Sequence, residues 1–403
     1  MTDVADIDQD LQLRILDRGH AAFGPDWLPR RWSSAPGRLE LLGNHVDYNG
    51  GLVLAGAVNR VVAIGIGQGA EVHGLSIVAG DVSPTPFEID PVLARGWHNT
   101  GSESGPREYA LGILAALDQR SVPSITSGQL SIAGNVPLGF GMSSSAALCV
   151  ALTLTLAESD LSEADIVAIA QDAEHRAGSP VGAMDQSASV AGGVILFDGS
   201  DTSFRRLDPE LGDYAFAVAD SGIHHAIRTS AYPVRVKESQ RALKLLQENV
   251  HPGLKNLGAL SPEEWKMIEN DHPDLLDDVL TRRVEHVVSE VERVRVGIGA
   301  LESEDWERFG ALMTASGRSS ATDYDISHSR VEELVGDLRA LPGVLGARMM
   351  GGGEGGPALA LLRRDAVDDV ATALGKGYFS RYASDSVADR FQVCVFGVGA
   401  RKR

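Results

Sequence analysis

Cysteine is almost missing from this chain. Cys149 and Cys394 are the two present in 403 residues, which rules out a disulfide framework and a four-thiolate metal site and fits a reducing compartment. Positive charge is also scarce. Lys and Arg number 36 against 55 Asp and Glu, a formal net charge of -19, and a field of that sign repels nucleic acid and anionic membrane surfaces. A small anionic ligand is still compatible with it where backbone dipoles or a few local cations offset the field. No apolar run is long enough to span a bilayer, because Arg60 interrupts "LVLAGAVNRVVAIGIG". The N-terminal "MTDVADIDQDLQLRILDRG" is acidic, lacks the basic flank and apolar region of a secretion signal, and reads as an amphipathic helix. Internal repeats, low-complexity linkers and a G-x-x-x-x-G-K-[ST] phosphate loop are absent too. The expectation is a soluble, cytoplasmic protein with neither a nucleic-acid nor a membrane partner.

What is present is an ordinary enzyme composition, 43% hydrophobic and 23% charged, in a chain long enough for two sizeable cores. "VVAIGIG", "LSIVAG", "GQLSIAGNVP", "GGVILFDG" and "DYAFAVADSG" read as strands. "SEADIVAIAQDAEHRAG" reads as a helix with a Ser162 cap and a closing Gly178. "AYPVRVKESQRALKLLQENV", "SPEEWKMIEN", "PDLLDDVLTRRVEHVVSEVERVRVGI" and "EDWERFGALMTASG" have helical periodicity, and strands return at "ALALLRR" and "FQVCVFGV". Mixed strands and helices in both halves predict an α+β protein of two closely packed domains, divided near residue 210.

Four segments carry chemistry. "GMSSSAALCVAL", residues 141–152, sets three hydroxyls at the mouth of an apolar helix. A helix start has unpaired N–H groups and partial positive charge, so it suits phosphate. Gly139 and Gly141 allow close backbone approach, Met142 follows, Ser143, Ser144 and Ser145 can bind phosphate oxygens or magnesium, and Ala146 and Ala147 permit tight packing behind. Alone, the same segment reads equally as one serine cap with small residues at a tight crossing. "APGRLELLGNHVDYNGG", residues 35–51, gathers Arg38, Asn44, His45, Asp47, Tyr48 and Asn49 as a polyol-binding loop would. "GSPVGAMDQSASVAGG" sets Asp185 among small residues, and "MMGGGEGGPALAL" surrounds Glu354 with five glycines suited to packing against another loop.

Taken together, these segments resemble the GHMP kinases, and within them the galactokinases. Gly37–Gly51 resembles the family motif G-R-x-N-x-I-G-E-H-x-D-Y-N-G-G, Pro137–Ala147 resembles P-x-G-x-G-L-S-S-S-A-A, and Gly351–Gly356 resembles G-G-G-F-G-G. "GAMDQ" and "SAYPVR" are similar to G-x-M-D-Q and S-E-Y-x-x-R. The resemblance implies a two-domain α+β GHMP-kinase fold, domains over 1–210 and 211–403, a final strand packing back on the N-terminal domain, and an active site in the cleft between them. It implies ATP and Mg2+ as cofactors, a small-molecule sugar as substrate, and a monomer or weak homo-oligomer. Asp185 corresponds to the catalytic aspartate that takes the proton of the anomeric hydroxyl, and Arg38 to the arginine that offsets developing negative charge. Gly139, Gly141, Met142, Ser143, Ser144, Ser145 and Ala146 correspond to the nucleotide loop, Ser145 and Glu174 to the metal ligands, and Asn44, His45, Asp47, Gly182 and Tyr232 to the sugar pocket.

Departures from the family pattern bear on specificity. Asn44 replaces the Glu of G-E-H, which meets the hydroxymethyl end of the sugar in galactokinases, so the resemblance leaves preference at C6 open. Glu354 and Pro357 stand where an aromatic and a small residue are usual, Gly317 where the family often has His, and Val236 at the second arginine of Y-x-x-R-R. The reading is a hexose 1-kinase, with D-galactose as the substrate and galactose 1-phosphate as the product. Alternatives are a kinase for galacturonate or N-acetylgalactosamine, and a non-catalytic galactose sensor.

Overall fold

The computed structural model describes residues 4–67, 73–101, 104–223, 231–382 and 386–403. Helix α1 (Val4–Phe23) leads into β1 (Arg31–Leu42), β2 (Leu52–Gly67), β3 (Leu75–Ala79) and β4 (Ser83–Ile89). Helix α2 (Pro106–Gln119), β5 (Gly128–Gly134), helices α3 (Ser144–Leu156), α4 (Glu163–Arg176) and α5 (Met184–Ala191), and strands β6 (Val194–Asp198) and β7 (Ser203–Leu207) complete this part. With the last strand of the chain, β12 (Arg401–Lys402), the order among the described residues is β12-β1-β2-β5-β3-β4, with β6 joining β2 and β7 joining β6. The β3–β5 pair is parallel and the others antiparallel, so the sheet is mixed. The apolar run of β2 is explained by cover on both faces. Val62, Ile64 and Ile66 belong to the main core, while Ala63 packs with Leu11 and Ile15 of α1, and Ile15 lies against Gly65.

The second part starts with β8 (Tyr214–Asp220) and helices α6 (Tyr232–Asn249), α7 (Pro262–Asp271), α8 (Asp278–Glu302), α9 (Trp306–Thr322) and α10 (Ser329–Arg339). Strands β9 (Val344–Met349) and β10 (Pro357–Arg363), helix α11 (Val367–Leu374) and strands β11 (Phe391–Cys394) and β12 (Arg401–Lys402) follow. Its antiparallel sheet runs β11-β8-β10-β9. The α+β class expected from the sequence is therefore the one observed. Among the described residues no helix is long and apolar enough to cross a membrane.

Two segments differ from their sequence reading. "FQVCVFGV" is not one strand: Phe391–Cys394 pairs with β8, after which Phe396 bridges to Val58, Val398 to Gly192, and β12 to β1 in the first sheet. The first half of the predicted polyol loop is strand β1, and Arg38 lies on it. Pro36 and Gly37 disguise that strand. The pairing register shifts between Pro36 and Arg38, where a bulge accommodates a residue without an N–H.

Candidate active site

Arg38 and Asp185 form the centre of the site. From β1, Arg38 donates through Nε to Oδ1 and through Nη2 to Oδ2 of Asp185, both at 2.8 Å, the two-pronged geometry that a guanidinium favours with a carboxylate. Its third nitrogen, Nη1, donates to the carbonyl of Gly141 at 2.5 Å, and its backbone N–H donates to the carbonyl of Met142 at 3.0 Å. One arginine thus ties the carboxylate to the serine loop. Ser143 adds a hydroxyl bond to Asp185 Oδ2, from a backbone with φ of 53°, a conformation uncommon for a residue with a Cβ.

The serine loop and the third glycine cluster face each other across a cavity of about 200 Å³. Gly139, Gly141, Met142, Ser143, Ser144 and Ser145 line one wall, and Gly351–Gly353 with Gly355 and Gly356 line another. A Cβ at Gly141 would come within 3.0 Å of the Pro357 ring, so the loops pack backbone to ring at that point. Ala146 is buried behind the loop and does not line the cavity. Glu354 has turned into a tie between elements. Its carboxylate accepts from the N–H of Ala231 at 2.9 Å, at the start of α6, and its own N–H donates to the carbonyl of Ile326 at 2.6 Å.

Glu174, on α4, reaches this cavity as a buried carboxylate that accepts bonds from the side chains of Gln186 and Ser145. Burial pushes its pKa up to about 7, and Asp185 adds to the rise while the Ser145 and Gln186 bonds oppose it. Among the described residues no group of three His, Cys, Asp or Glu is placed to hold a metal ion. Two oxygen donors, Ser145 and Glu174, beside a phosphate-sized cavity do suit a hard cation that takes its other ligands from phosphate and water.

A second, smaller chamber adjoins the first at Arg38, Asp185, Val181, Gly351 and Gly352. Glu40, His45, Asp47, Gly182 and Tyr232 line it. Gly182 has to be glycine here, because a Cβ would collide with Asp47 Oδ2. Burial, then the charges of Asp185 and Glu40, lift the Asp47 pKa to about 7. His45 Nδ1 lies 2.8 Å from the Tyr48 hydroxyl, which continues to the Tyr324 and Ser239 hydroxyls at 2.9 and 2.7 Å. The Tyr232 ring stands 4.9 Å from the His45 ring, centroid to centroid. Burial, with nearby His286 acting in the same direction, lowers the His45 pKa to about 3, so the imidazole is neutral at ordinary pH.

Asn44 is the exception among the sequence-predicted residues. It is fully buried and lines neither chamber. Its Nδ2 donates to Glu40 Oε1 at 2.8 Å and to the carbonyl of Gly351 at 3.3 Å, and its Oδ1 accepts from Ser320 Oγ at 3.0 Å. The amide is spent inside the protein, so the expected placement at the sugar is corrected. Glu40 and Glu290 were missed. Glu290, on α8, accepts from the N–H groups of Gly43 and Asn44 at 3.0 and 3.1 Å and from Ser316 Oγ at 2.6 Å. Burial alone would raise its pKa, but Arg293, His286 and Arg348 with the Ser316 bond bring it down to about 2.

Comparison with known proteins gives the family. Residues 20–68 match the galactokinase galactose-binding signature, residues 108–193 the GHMP kinases N terminal domain, and residues 298–380 the GHMP kinases C terminal family. The galactokinase of Exiguobacterium sibiricum is 32% identical over 386 residues, 91% of this chain and 93% of its own. The chain belongs to the galactokinase family of GHMP kinases. Among other galactokinases, that of Roseiflexus sp. is 32% identical, with 91% of both chains covered. The galactokinase of Lactococcus lactis, whose crystal structure holds galactose, superposes with a TM-score of 0.82 at 26% identity, covering 96% of this chain and 98% of that one. Mevalonate kinase of Methanococcus jannaschii, at 15% identity and a TM-score of 0.61, shares the fold. As a galactokinase-family kinase the protein carries out ATP-dependent sugar phosphorylation.

Proposed function

We propose that the protein transfers the terminal phosphoryl group of ATP to the anomeric hydroxyl of D-galactose, giving galactose 1-phosphate and ADP. The observation that carries this reading is the Arg38–Asp185 pair at the junction of the two chambers, where a sugar hydroxyl from one side can meet a phosphate from the other. Asp185 takes the proton of the anomeric oxygen as that oxygen bonds to the terminal phosphorus and the bond from phosphorus to the bridging oxygen breaks. Arg38, held against Asp185, offsets negative charge that develops on the transferring group. The loop of Gly139, Gly141, Met142, Ser143, Ser144 and Ser145 and the start of α3 receive the phosphates through backbone N–H groups and hydroxyls. Ser145 and Glu174 would hold magnesium. When bound, that ion neutralises phosphate charge. His45, Asp47 and Tyr232, with the backbone at Gly182, position the sugar hydroxyls.

A uronic acid is disfavoured by the same chamber, since Glu40, Asp47 and Asp185 already crowd it with carboxyl groups, and burial first, then repulsion from Asp185 and Glu40, lifts the Asp47 pKa. The test is ADP release with galactose, N-acetylgalactosamine and galacturonate as separate acceptors. Galactose is expected to give the highest kcat/KM. Turnover of galacturonate with none of galactose would overturn the assignment.

A further inference from the structure

The family motif quoted above has Asn at the position of residue 40 and Glu at that of residue 44, whereas this chain has Glu40 and Asn44. Both positions have changed, and each carries the residue type that the motif has at the other. The two side chains touch, Asn44 Nδ2 donating to Glu40 Oε1 at 2.8 Å. The exchange therefore keeps one carboxylate and one amide in contact while altering which of them faces the ligand. Glu40 lines the smaller chamber and Asn44 does not. Residues 38 and 40 pair in unbroken register with Ala57 and Ala55, so their side chains leave the same face of β1, about 6.6 Å apart along the strand. Glu40 is thus set about one sugar ring's breadth from the Arg38–Asp185 pair.

The surroundings are adapted to a carboxylate at residue 40. Arg348, fully buried on β9, donates through Nη2 to Glu40 Oε1 at 2.8 Å and to the Glu40 carbonyl at 2.6 Å. Gly317, another departure from the family pattern, lets α9 pack closely on β9 at this point, since a Cβ at 317 would lie 2.7 Å from Arg348 Cβ. The Arg348 and Asn44 bonds both fall on Oε1. Among the described residues Oε2 takes no hydrogen bond.

Resting on the sugar-kinase reading above, we propose that Glu40 is the specificity-determining acceptor for one non-anomeric hydroxyl of a neutral hexose in this chain, with Arg348 positioning it and Asn44 serving only as its buried support. The free Oε2 supplies the strong acceptor that the motif places at residue 44, from a different backbone position. A hydroxyl donates to it, and a carboxylate or a missing hydroxyl at that ring position cannot.

The experiment is kcat/KM for galactose and its 2-, 4- and 6-deoxy forms with the wild-type enzyme, Glu40→Gln, Glu40→Asp and the double variant Glu40→Asn/Asn44→Glu. In the wild type one deoxysugar should be penalised about ten- to a hundred-fold, the usual range for losing a bond to a charged acceptor. That single penalty should collapse in Glu40→Gln while those of the other deoxysugars persist, and it should return in the double variant. Glu40→Asp keeps a counter-charge for Arg348, so it tests the withdrawn oxygen if Glu40→Gln does not fold. Equal losses on all four sugars in the residue 40 variants would make Glu40 structural and overturn the inference. Absence of wild-type turnover with galactose would defeat the functional reading itself, and this inference with it. Normal wild-type turnover with unaltered penalties in the variants defeats the inference alone.

Discussion

Arg38 grips both carboxylate oxygens of Asp185 at 2.8 Å and, with its remaining nitrogen, the carbonyl of Gly141 in the serine loop. The proposed base, its counter-charge and the backbone of the serine loop are therefore joined by one side chain.

The first prediction follows from that arrangement. Asp185→Asn keeps the shape of the side chain and one acceptor oxygen, but its amide nitrogen cannot accept the second Arg38 bond and the group cannot take the proton. Phosphoryl transfer should fall by at least ~100-fold, with the thermal midpoint and ATP affinity close to wild type. Turnover near wild type would remove Asp185 from the mechanism.

Ser145→Ala separates the two chambers. The hydroxyl lost lines the larger chamber, the proposed nucleotide side, next to Glu174, so the magnesium concentration giving half-maximal rate should rise while galactose affinity by calorimetry is unchanged. Lost sugar affinity with an unaltered magnesium requirement would assign the serine to a different task.

Much of this was legible in the sequence, because the motifs are local. The serine loop, Asp185 and the glycine cluster each declare themselves within a dozen residues, and α4 is bounded by Ser162 and Gly178 as its composition suggests. What could not be read depends on distant partners. Asn44 looks like a pocket residue until Ser320 and Gly351, brought in from α9 and the loop after β9, consume its amide. Glu290 sits in a helix of alternating charge and is set apart by what the turn after β1 and helix α9 bring against it. Strand β1 is hidden by Pro36 and Gly37, and β12 is two residues long. The exchange at 40 and 44 was half visible: the change at 44 stands out against the motif, but its meaning needs the contact between the two side chains.

Glu290 offers a stability test. Glu290→Ala leaves two buried N–H groups and Arg293 without their acceptor, a loss on the order of 3–5 kcal/mol. The wild-type carboxylate has a pKa lowered from 4.5 to about 2, so its contribution is fully present above pH 4.5 and disappears as pH falls through 2. Urea unfolding should show a large gap between the two proteins at pH 7 that narrows below pH 4.5. A gap of under ~1 kcal/mol at pH 7 would mean that the first motif is held by other contacts.

Asp47 acts in the opposite sense. Its pKa is raised from 3.8 to about 7, so between these values the folded protein holds a proton that the unfolded chain has released. Stability from this group falls as pH rises through that window, by up to ~1.4 kcal/mol per pH unit. Asp47→Asn removes the slope. The variant should therefore gain on the wild type steadily from pH 4.5 to 6.5 in urea unfolding, and a constant difference across that range would contradict the burial and charge repulsion assigned to Asp47.

The central claim is that the Arg38–Asp185 pair directs phosphate from ATP onto the anomeric oxygen of galactose. Phosphorus NMR of a reaction containing the protein, MgATP and galactose tests it directly, because coupling of the product phosphorus to a single sugar proton identifies the oxygen that carries it. The account predicts one sugar phosphate, coupled to the proton on C1, accumulating in step with ADP and absent with Asp185→Asn. Phosphate on any other hydroxyl, or ADP formed with only inorganic phosphate beside it, would contradict the account.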